Sequence, residues 1–187
     1  MILSGRADVV AGGQRFEQLG GRASVFEERS PDAVYAPPGT RYEVQAHEAV
    51  ELALATAPGT GMHPLRLIPG AAMKRSVRGQ GSNTRYVCDI LPETEPAESL
   101  LVVEVLTPAA HSSSYPPHKH DSDDIPKESF LEETISVEDG EVVMVPRGYH
   151  PVVMPHGYRG YYLNVMAGPR RAWHFKNDPA HDWLMKP

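Results

Sequence analysis

The second half of the chain contains three histidines and a glutamate whose spacing fits a metal site. His118 and His120 are separated by one residue, so on an extended strand both imidazoles lie on the same side. Glu133 follows them, and His150 comes directly after a Pro-x-Gly turn at residues 146–148. Three neutral imidazoles and a carboxylate can bind a divalent ion and leave coordination positions open for water or substrate. These residues predict one bound divalent ion, which we expect to be zinc or manganese.

Other interpretations of the same residues stay open. His118 and His120 could be a hydrated pair in an acidic loop, and His150 could be only a turn residue. Two other glutamates, Glu128 and Glu132, compete for the carboxylate role. The remaining histidines have no paired spacing and are expected to be surface or hydrogen-bonding residues: His47, His63, His156, His174 and His181.

The composition predicts that short strands and turns position these residues. The chain has 18 prolines and 16 glycines in 187 residues, and both residue types are poor in helix interiors and common in turns. We expect a polar loop at residues 111–124 and a surface-wrapping tail at 168–187. The predicted strands lie at residues 7–10 and 14–17 (a hairpin), 23–26, 33–36, 41–44, 49–55, 85–91, 100–106 and 161–166. The predicted class is all-β, a sandwich or barrel.

A short internal repeat suggests two copies of one β unit. Residues 34–42 (VYAPPGTRY) resemble residues 143–151 (VMVPRGYHP), and both predict a strand, a Pro-x-Gly turn and a second strand. Two copies would form tandem domains, predicted here as 1–95 and 96–187. Arg41 stands in the first copy where His150 stands in the second, so we expect only the C-terminal domain to bind a metal.

The bulk properties argue against several classes of partner. The net charge is −6 and the Lys and Arg residues are scattered, which argues against nucleic acid. No apolar run approaches the roughly 18 residues of a membrane span. Cys88 is the only cysteine, so no intrachain disulfide exists and a cytoplasmic location is expected. The expected partner is a small-molecule substrate, and assembly into a homo-oligomer is left open.

Several segments resemble the 5-deoxy-glucuronate isomerases of myo-inositol catabolism, a family of bicupins. The similarity is most specific in HSSSYPPHKHD at 111–121, VPRGYHPV at 145–152 and YYLNVMAGP at 161–169. It extends to residues 3–7, 81–85, 128–133 and 173–183, and so to nearly the whole chain. The resemblance implies tandem cupin (double-stranded β-helix) barrels, with His118, His120 and His150 as metal ligands and Glu133 as the fourth.

The implied reaction is the aldose–ketose isomerisation of 5-deoxy-D-glucuronate to 5-dehydro-2-deoxy-D-gluconate through an enediol, with the ion as Lewis acid. Glu133, Tyr115 and Tyr162 are candidates for proton transfer. Arg85 and Arg147 are candidates for binding the substrate carboxylate, because guanidinium matches its geometry. Two alternatives remain, a metal-dependent cupin dioxygenase and a non-catalytic sugar-binding cupin.

The chain departs from the family pattern at three places. A leading segment that the family usually has before the stretch matching Met1 is not present. Thr134 runs directly into Ile135, where the family usually has a further strand and hairpin. Ser112 stands where the family tends to have tryptophan. We therefore expect incomplete cupin copies and a metal pocket more open to water than in the family.

Overall fold

The computed structural model of the protein describes residues 1–120, 133–168 and 170–185. The helices in these ranges are short 3-10 segments at Gly70–Ala72, Gly81–Asn83 and Pro179–Met185. None of the described helices is long and apolar enough to cross a bilayer. The strands are β1 (Ile2–Ala11), β2 (Gln14–Arg22), β3 (Ala33–Tyr35), β4 (Tyr42–Ala46), β5 (Glu51–Leu52), β6 (Arg66–Ile68), β7 (Lys74–Arg78), β8 (Arg85–Leu91), β9 (Leu100–Thr107), β10 (Ser112–Lys119), β11 (His150–Val153), β12 (Gly160–Ala167) and β13 (Lys176–Asn177).

The N-terminal strands form a sheet around β1, which pairs with β2, β4 and β5. The predicted hairpin of β1 and β2 is confirmed, although both strands are longer than predicted. Its turn uses Gly12 and Gly13 at φ 53° and 81°, a conformation that glycine adopts without steric cost. The apolar side chains of the two strands form one core cluster of Ile2, Ala7, Val9, Ala11, Phe16 and Leu19.

The C-terminal part contains two further sheets, in the strand orders β12-β9-β8-β7 and β11-β10-β13. β9 lies inside the larger sheet, and six of its eight residues are buried. Burial on both faces accounts for the near-continuous apolar run of this strand, which was predicted at 100–106. The fold is therefore all-β and cupin-like, as the sequence predicts.

A buried ion pair connects the N-terminal and C-terminal sheets. Arg22 at the end of β2 donates to both carboxylate oxygens of Glu104 on β9, at 3.1 and 2.9 Å. Tyr161 donates its hydroxyl to the same carboxylate at 3.1 Å. Arg22 is 2% exposed and Glu104 is 5% exposed. β8 and β9, which pair with each other, lie on opposite sides of the predicted domain boundary at residue 95. The division into two domains at this residue stays a prediction.

Two predicted strands are wrong or much too long. Residues 23–26 form a turn, because Ser24 accepts two local hydrogen bonds. Its side-chain hydroxyl accepts one from the backbone N–H of Phe26 at 3.2 Å, and its backbone carbonyl accepts one from the backbone N–H of Glu27 at 3.1 Å. Of residues 49–55, only Glu51–Leu52 pairs as a strand, and its partner is β1. The periodicity of this segment fits a strand or a helix equally, and only the all-β context favoured a strand.

The predicted loop at residues 111–124 is also wrong in its first part, which is strand β10, while residues 121–124 lie outside the described ranges. The two prolines that suggested a loop fall where the register with β11 shifts, between Ser113 and His118. Residues 143–145, predicted as a strand in the internal repeat, are exposed and form no strand in the described part of the chain.

Candidate metal centre

Three histidine side chains meet where β10 and β11 pair. His118 and His150 are direct partners in the antiparallel register, and His120 follows immediately after β10. The ring centroids of the three imidazoles are 4.7 to 5.2 Å apart. One ring nitrogen of each lies within 4.8 Å of the others. Ligands around one ion are about 3 to 4 Å apart, so small side-chain shifts would close the three on a single ion.

Backbone carbonyls orient all three rings in the same way. The Nδ1 atom of His118 lies 2.9 Å from the Ser114 carbonyl oxygen, and that of His120 lies 2.7 Å from the His174 carbonyl oxygen. The Nδ1 atom of His150 is 3.3 Å from the carbonyl oxygen of Gly148. A carbonyl oxygen only accepts, so each Nδ1 carries a proton, and in the neutral form of the ring the lone pair is then on Nε2. This is the tautomer that metal-binding imidazoles use.

The prolines of β10 help to make this arrangement. Pro116 and Pro117 have no N–H to donate to a neighbouring strand, so the ladder with β11 is interrupted there. The Ser114 carbonyl lies in this interruption. It accepts a hydrogen bond from Nδ1–H of His118 in place of one from a backbone N–H of a neighbouring strand. The residues that suggested a loop therefore fix the orientation of a buried imidazole.

Burial keeps His118 in the form that binds metals. Its side chain is 3% exposed. Desolvation, together with the neighbouring His150 and His120, lowers the pKa of His118 to about 4. The imidazole is therefore neutral at physiological pH, and a neutral imidazole is the ligand that a divalent cation requires.

The C-terminal segment forms one wall of the site. β13 pairs with β10 at His118 and Lys119, and this brings the Phe175 ring to 4.5 Å from the His118 ring. The Trp173 ring lies 5.7 Å from that of His120 in an edge-on arrangement. The tail does not only wrap the surface, because its aromatic residues pack directly against the imidazoles.

The larger sheet supplies an opposing surface. Val87, Val105 and Tyr162 are cross-strand neighbours on β8, β9 and β12. The Tyr162 hydroxyl lies 2.7 and 3.1 Å from the hydroxyls of Ser113 and Ser114 on β10. These bonds connect the surface of the larger sheet to the strand that carries His118.

Other residues predicted for the site fall in different places. Tyr115 is half-buried on β10, where its carbonyl accepts from the Asn83 amide at 2.8 Å. Arg85 is half-buried at the start of β8 and donates to the Asn83 carbonyl at 3.2 Å. Arg147 is exposed. Glu133 is exposed and is not part of the three-histidine group.

The alternative carboxylates, Glu128 and Glu132, lie outside the described residues. Sequence reasoning did not identify Trp173, Phe175, Ser113 and Ser114 as parts of the site. The alternation of Trp173 and Phe175 just before β13 was the signal that could have indicated two aromatic side chains on one face.

Fold and site together define a cupin-like protein whose three convergent imidazoles can hold a metal ion. The chain belongs to the KduI/IolB family, whose model matches residues 1–135 and 131–184. It is 48% identical to the 5-deoxy-glucuronate isomerase of Geobacillus kaustophilus (strain HTA426), over 100% of this chain and 77% of that protein. It is 43% identical to the same-named protein of Bacillus subtilis (strain 168), over 100% of this chain and 79% of that one. A crystal structure of an IolB-like protein from Salmonella typhimurium LT2 matches with a TM-score of 0.93 and 38% identity, covering 99% of this chain and 80% of that one.

The comparisons also bear on the junction at Thr134. The alignment with the Geobacillus kaustophilus protein has 212 positions against 187 residues in this chain, so about 25 positions of that relative have no counterpart here. The family match is in two pieces that meet at residues 131–135. This is where sequence analysis located the difference from the family.

Proposed function

We propose that the chain is an aldose–ketose isomerase that converts 5-deoxy-D-glucuronate to 5-dehydro-2-deoxy-D-gluconate in myo-inositol catabolism. The observation that carries the proposal is the convergence of three imidazoles in a chain 48% identical to a 5-deoxy-glucuronate isomerase. A cytoplasmic location is part of the proposal, and a single buried cysteine, Cys88, supports it.

The proposed metal is one zinc or manganese ion held by the Nε2 atoms of His118, His120 and His150. Imidazole nitrogen suits both ions, and the neutral state of His118 supports binding near neutral pH. Glu133 is the proposed fourth ligand, and because it lies outside the three-histidine group its carboxylate must move toward the histidines to take this role. When bound, such an ion polarises the substrate carbonyl and stabilises the charge of the enediolate.

Arg85 is the proposed partner of the substrate carboxylate. It lies on β8, two residues before Val87, and therefore on the same face of the sheet. Among the described residues its hydrogen bonds run only from Nη1 to Asn83, which leaves Nε and Nη2 able to bind a carboxylate in the bidentate manner. Burial lowers the pKa of Arg85 from its ordinary value, but the group is still a cation at neutral pH. Arg147, which is exposed, is the second candidate.

The isomerisation moves a proton from the carbon next to the aldehyde to the aldehyde carbon. Of the three candidates, Tyr162 has the most defined position, because two serine hydroxyls fix its hydroxyl beside β10. We assign it the exchange of a proton with a substrate oxygen through Ser114, while the fully buried Ser113 holds the phenol hydroxyl in place. Glu133 and Tyr115 remain candidates for the base at carbon.

The test is an isomerase assay of the metal-loaded chain with 5-deoxy-D-glucuronate, with the product followed by NMR in D2O. Deuterium incorporation at the former aldehyde carbon, which becomes the CH2OH group next to the new carbonyl, would support an enediol. Oxygen uptake with cleaved products would instead identify a dioxygenase, and tight binding without turnover would identify a sugar-binding cupin.

A further inference from the structure

The indole of Trp173 lies between the three-histidine group and the larger sheet. Its ring is 5.7 Å from the His120 ring and 5.7 Å from the Phe175 ring. On its other side it packs against a buried valine cluster of β8 and β9, as Tyr162 does: Val87, Val103 and Val105. Trp173 is therefore next to the position where any ligand of the imidazoles would bind.

The Trp173 Nε1 atom is buried and has no hydrogen-bond partner among the described residues. An indole N–H is a donor only, and leaving it unpaired away from water is unfavourable. Two neighbouring polar atoms already have partners, since the Tyr162 hydroxyl is bonded to two serines and His120 Nδ1 to the His174 carbonyl. An unpaired donor in such a place fits a site that lacks its ligand.

We propose that Trp173 binds the substrate: its N–H donates to an oxygen of the uronic acid, and its ring covers an apolar face of the carbon chain. The inference rests on the proposed function and names a further specificity residue for it. Because Nε1 can only donate, the ligand atom must be an acceptor, namely a hydroxyl, carbonyl or carboxylate oxygen.

The test compares Trp173→Phe with Trp183→Phe in the full, metal-loaded chain. Trp173→Phe keeps an aromatic ring and removes the donor, whereas Trp183 is 63% exposed and serves as the control. Calorimetric titration with 5-deoxy-D-glucuronate should give a Kd roughly tenfold higher for Trp173→Phe, the loss expected for one hydrogen bond, and an unchanged Kd for Trp183→Phe. The Tm of ligand-free Trp173→Phe should be somewhat lower than that of the wild type, because the smaller ring covers less of the valine cluster.

A second measurement uses the two tryptophans of the chain. In Trp183→Phe, Trp173 is the remaining tryptophan, and its emission should change on titration with the sugar acid. Unchanged affinity in Trp173→Phe, or Trp173 emission that does not respond to the sugar acid, would overturn the proposal.

The two proposals fail separately. Binding that depends on Trp173 without any turnover would contradict the isomerase activity and support the role of Trp173. Absence of binding to the wild type would overturn both.

Discussion

His118 and His150 occupy directly opposed positions in the register of β10 and β11, with their ring centroids 4.7 Å apart. Directly opposed residues have closely spaced Cβ atoms, so the pairing of two strands brings together imidazoles that are 32 residues apart in the chain. The geometry of the site therefore depends on strand register, and a shift of one residue would turn His150 away.

The first prediction concerns the ligands. The double variant with His118→Ala and His120→Ala should lose stoichiometric zinc or manganese, because a single remaining imidazole holds a divalent ion weakly. Elemental analysis of the dialysed protein measures this. His156→Ala, which removes an exposed histidine from a turn after β11, is the matched control and should keep one ion per chain. A full complement of metal in the double variant would refute the assignment.

The second prediction concerns Arg85. Arg85→Gln should raise KM for 5-deoxy-D-glucuronate roughly 10- to 100-fold, the usual effect of losing a charge-assisted hydrogen bond, with a smaller effect on kcat. Steady-state kinetics of the metal-loaded enzyme measures this. Arg75→Gln removes an exposed charge from neighbouring β7 and should leave KM unchanged. Equal KM values in both variants would exclude Arg85 as the carboxylate partner.

The third prediction concerns the buried ion pair. Glu104→Gln leaves the Arg22 cation without a countercharge inside the protein, and should lower the free energy of unfolding by about 3 to 5 kcal/mol. Urea denaturation measures this. Glu17→Gln, which breaks an exposed pair with Arg15, should change it by less than about 1 kcal/mol. Similar losses of unfolding free energy in both variants would show that burial does not determine the cost of breaking an ion pair.

The fourth prediction concerns acid stability. Two hydrogen bonds lower the pKa of Asp8 to about 2. The one from His47 has the larger effect, and the one from the Gln18 backbone N–H is second. The unfolded chain has an Asp pKa of about 3.9, so the ionised carboxylate stabilises the fold above about pH 4, and this contribution is lost as the pH falls toward 2. In Asp8→Asn the free energy of unfolding should fall less steeply over this window. Asp139→Asn, at an exposed turn, should follow the wild type. Parallel curves for Asp8→Asn and the wild type would contradict the prediction.

The fifth prediction concerns the junction between Thr134 and Ile135. Val142 and Met144, shortly after it, are 87% and 86% exposed, and a segment inserted there can cover them. Inserting the corresponding segment of about 25 residues from the Geobacillus kaustophilus relative should raise kcat, because exclusion of water strengthens electrostatic interactions in the site. A Gly/Ser insert of equal length is the control. Equal turnover in all three proteins would show that the segment is dispensable.

The three imidazoles could be predicted because local rules position them. A one-residue spacing on a strand orients His118 and His120, and a Pro-x-Gly turn precedes His150. The wall formed by Trp173 and Phe175 could not be predicted from spacing, because its contact with His120 depends on how β13 docks on β10. Tertiary pairing, not local pattern, decides that part of the site.

The same distinction applies to the fold. The β1–β2 hairpin has its own glycine turn, and β9 has an apolar run, so both were predictable. β7 (KRSVR) has little apolar character and forms because β8 pairs with it, which its own sequence does not reveal. At residues 23–26, the Ser24 side chain outweighed the strand preference of Val25 and Phe26.

The His174 carbonyl, which orients the His120 ring, is 54 residues further along the chain. This separation has a consequence for biosynthesis. At translation rates of about 5 to 20 residues per second, the carbonyl is made roughly 3 to 10 s after the imidazole that it fixes. During this interval His118 and His120 are already synthesised, while His150 and the tail follow later. A nascent chain therefore offers only part of the three-histidine group, and an ion that needs all three imidazoles would bind only after His150 has been made and β11 has paired with β10.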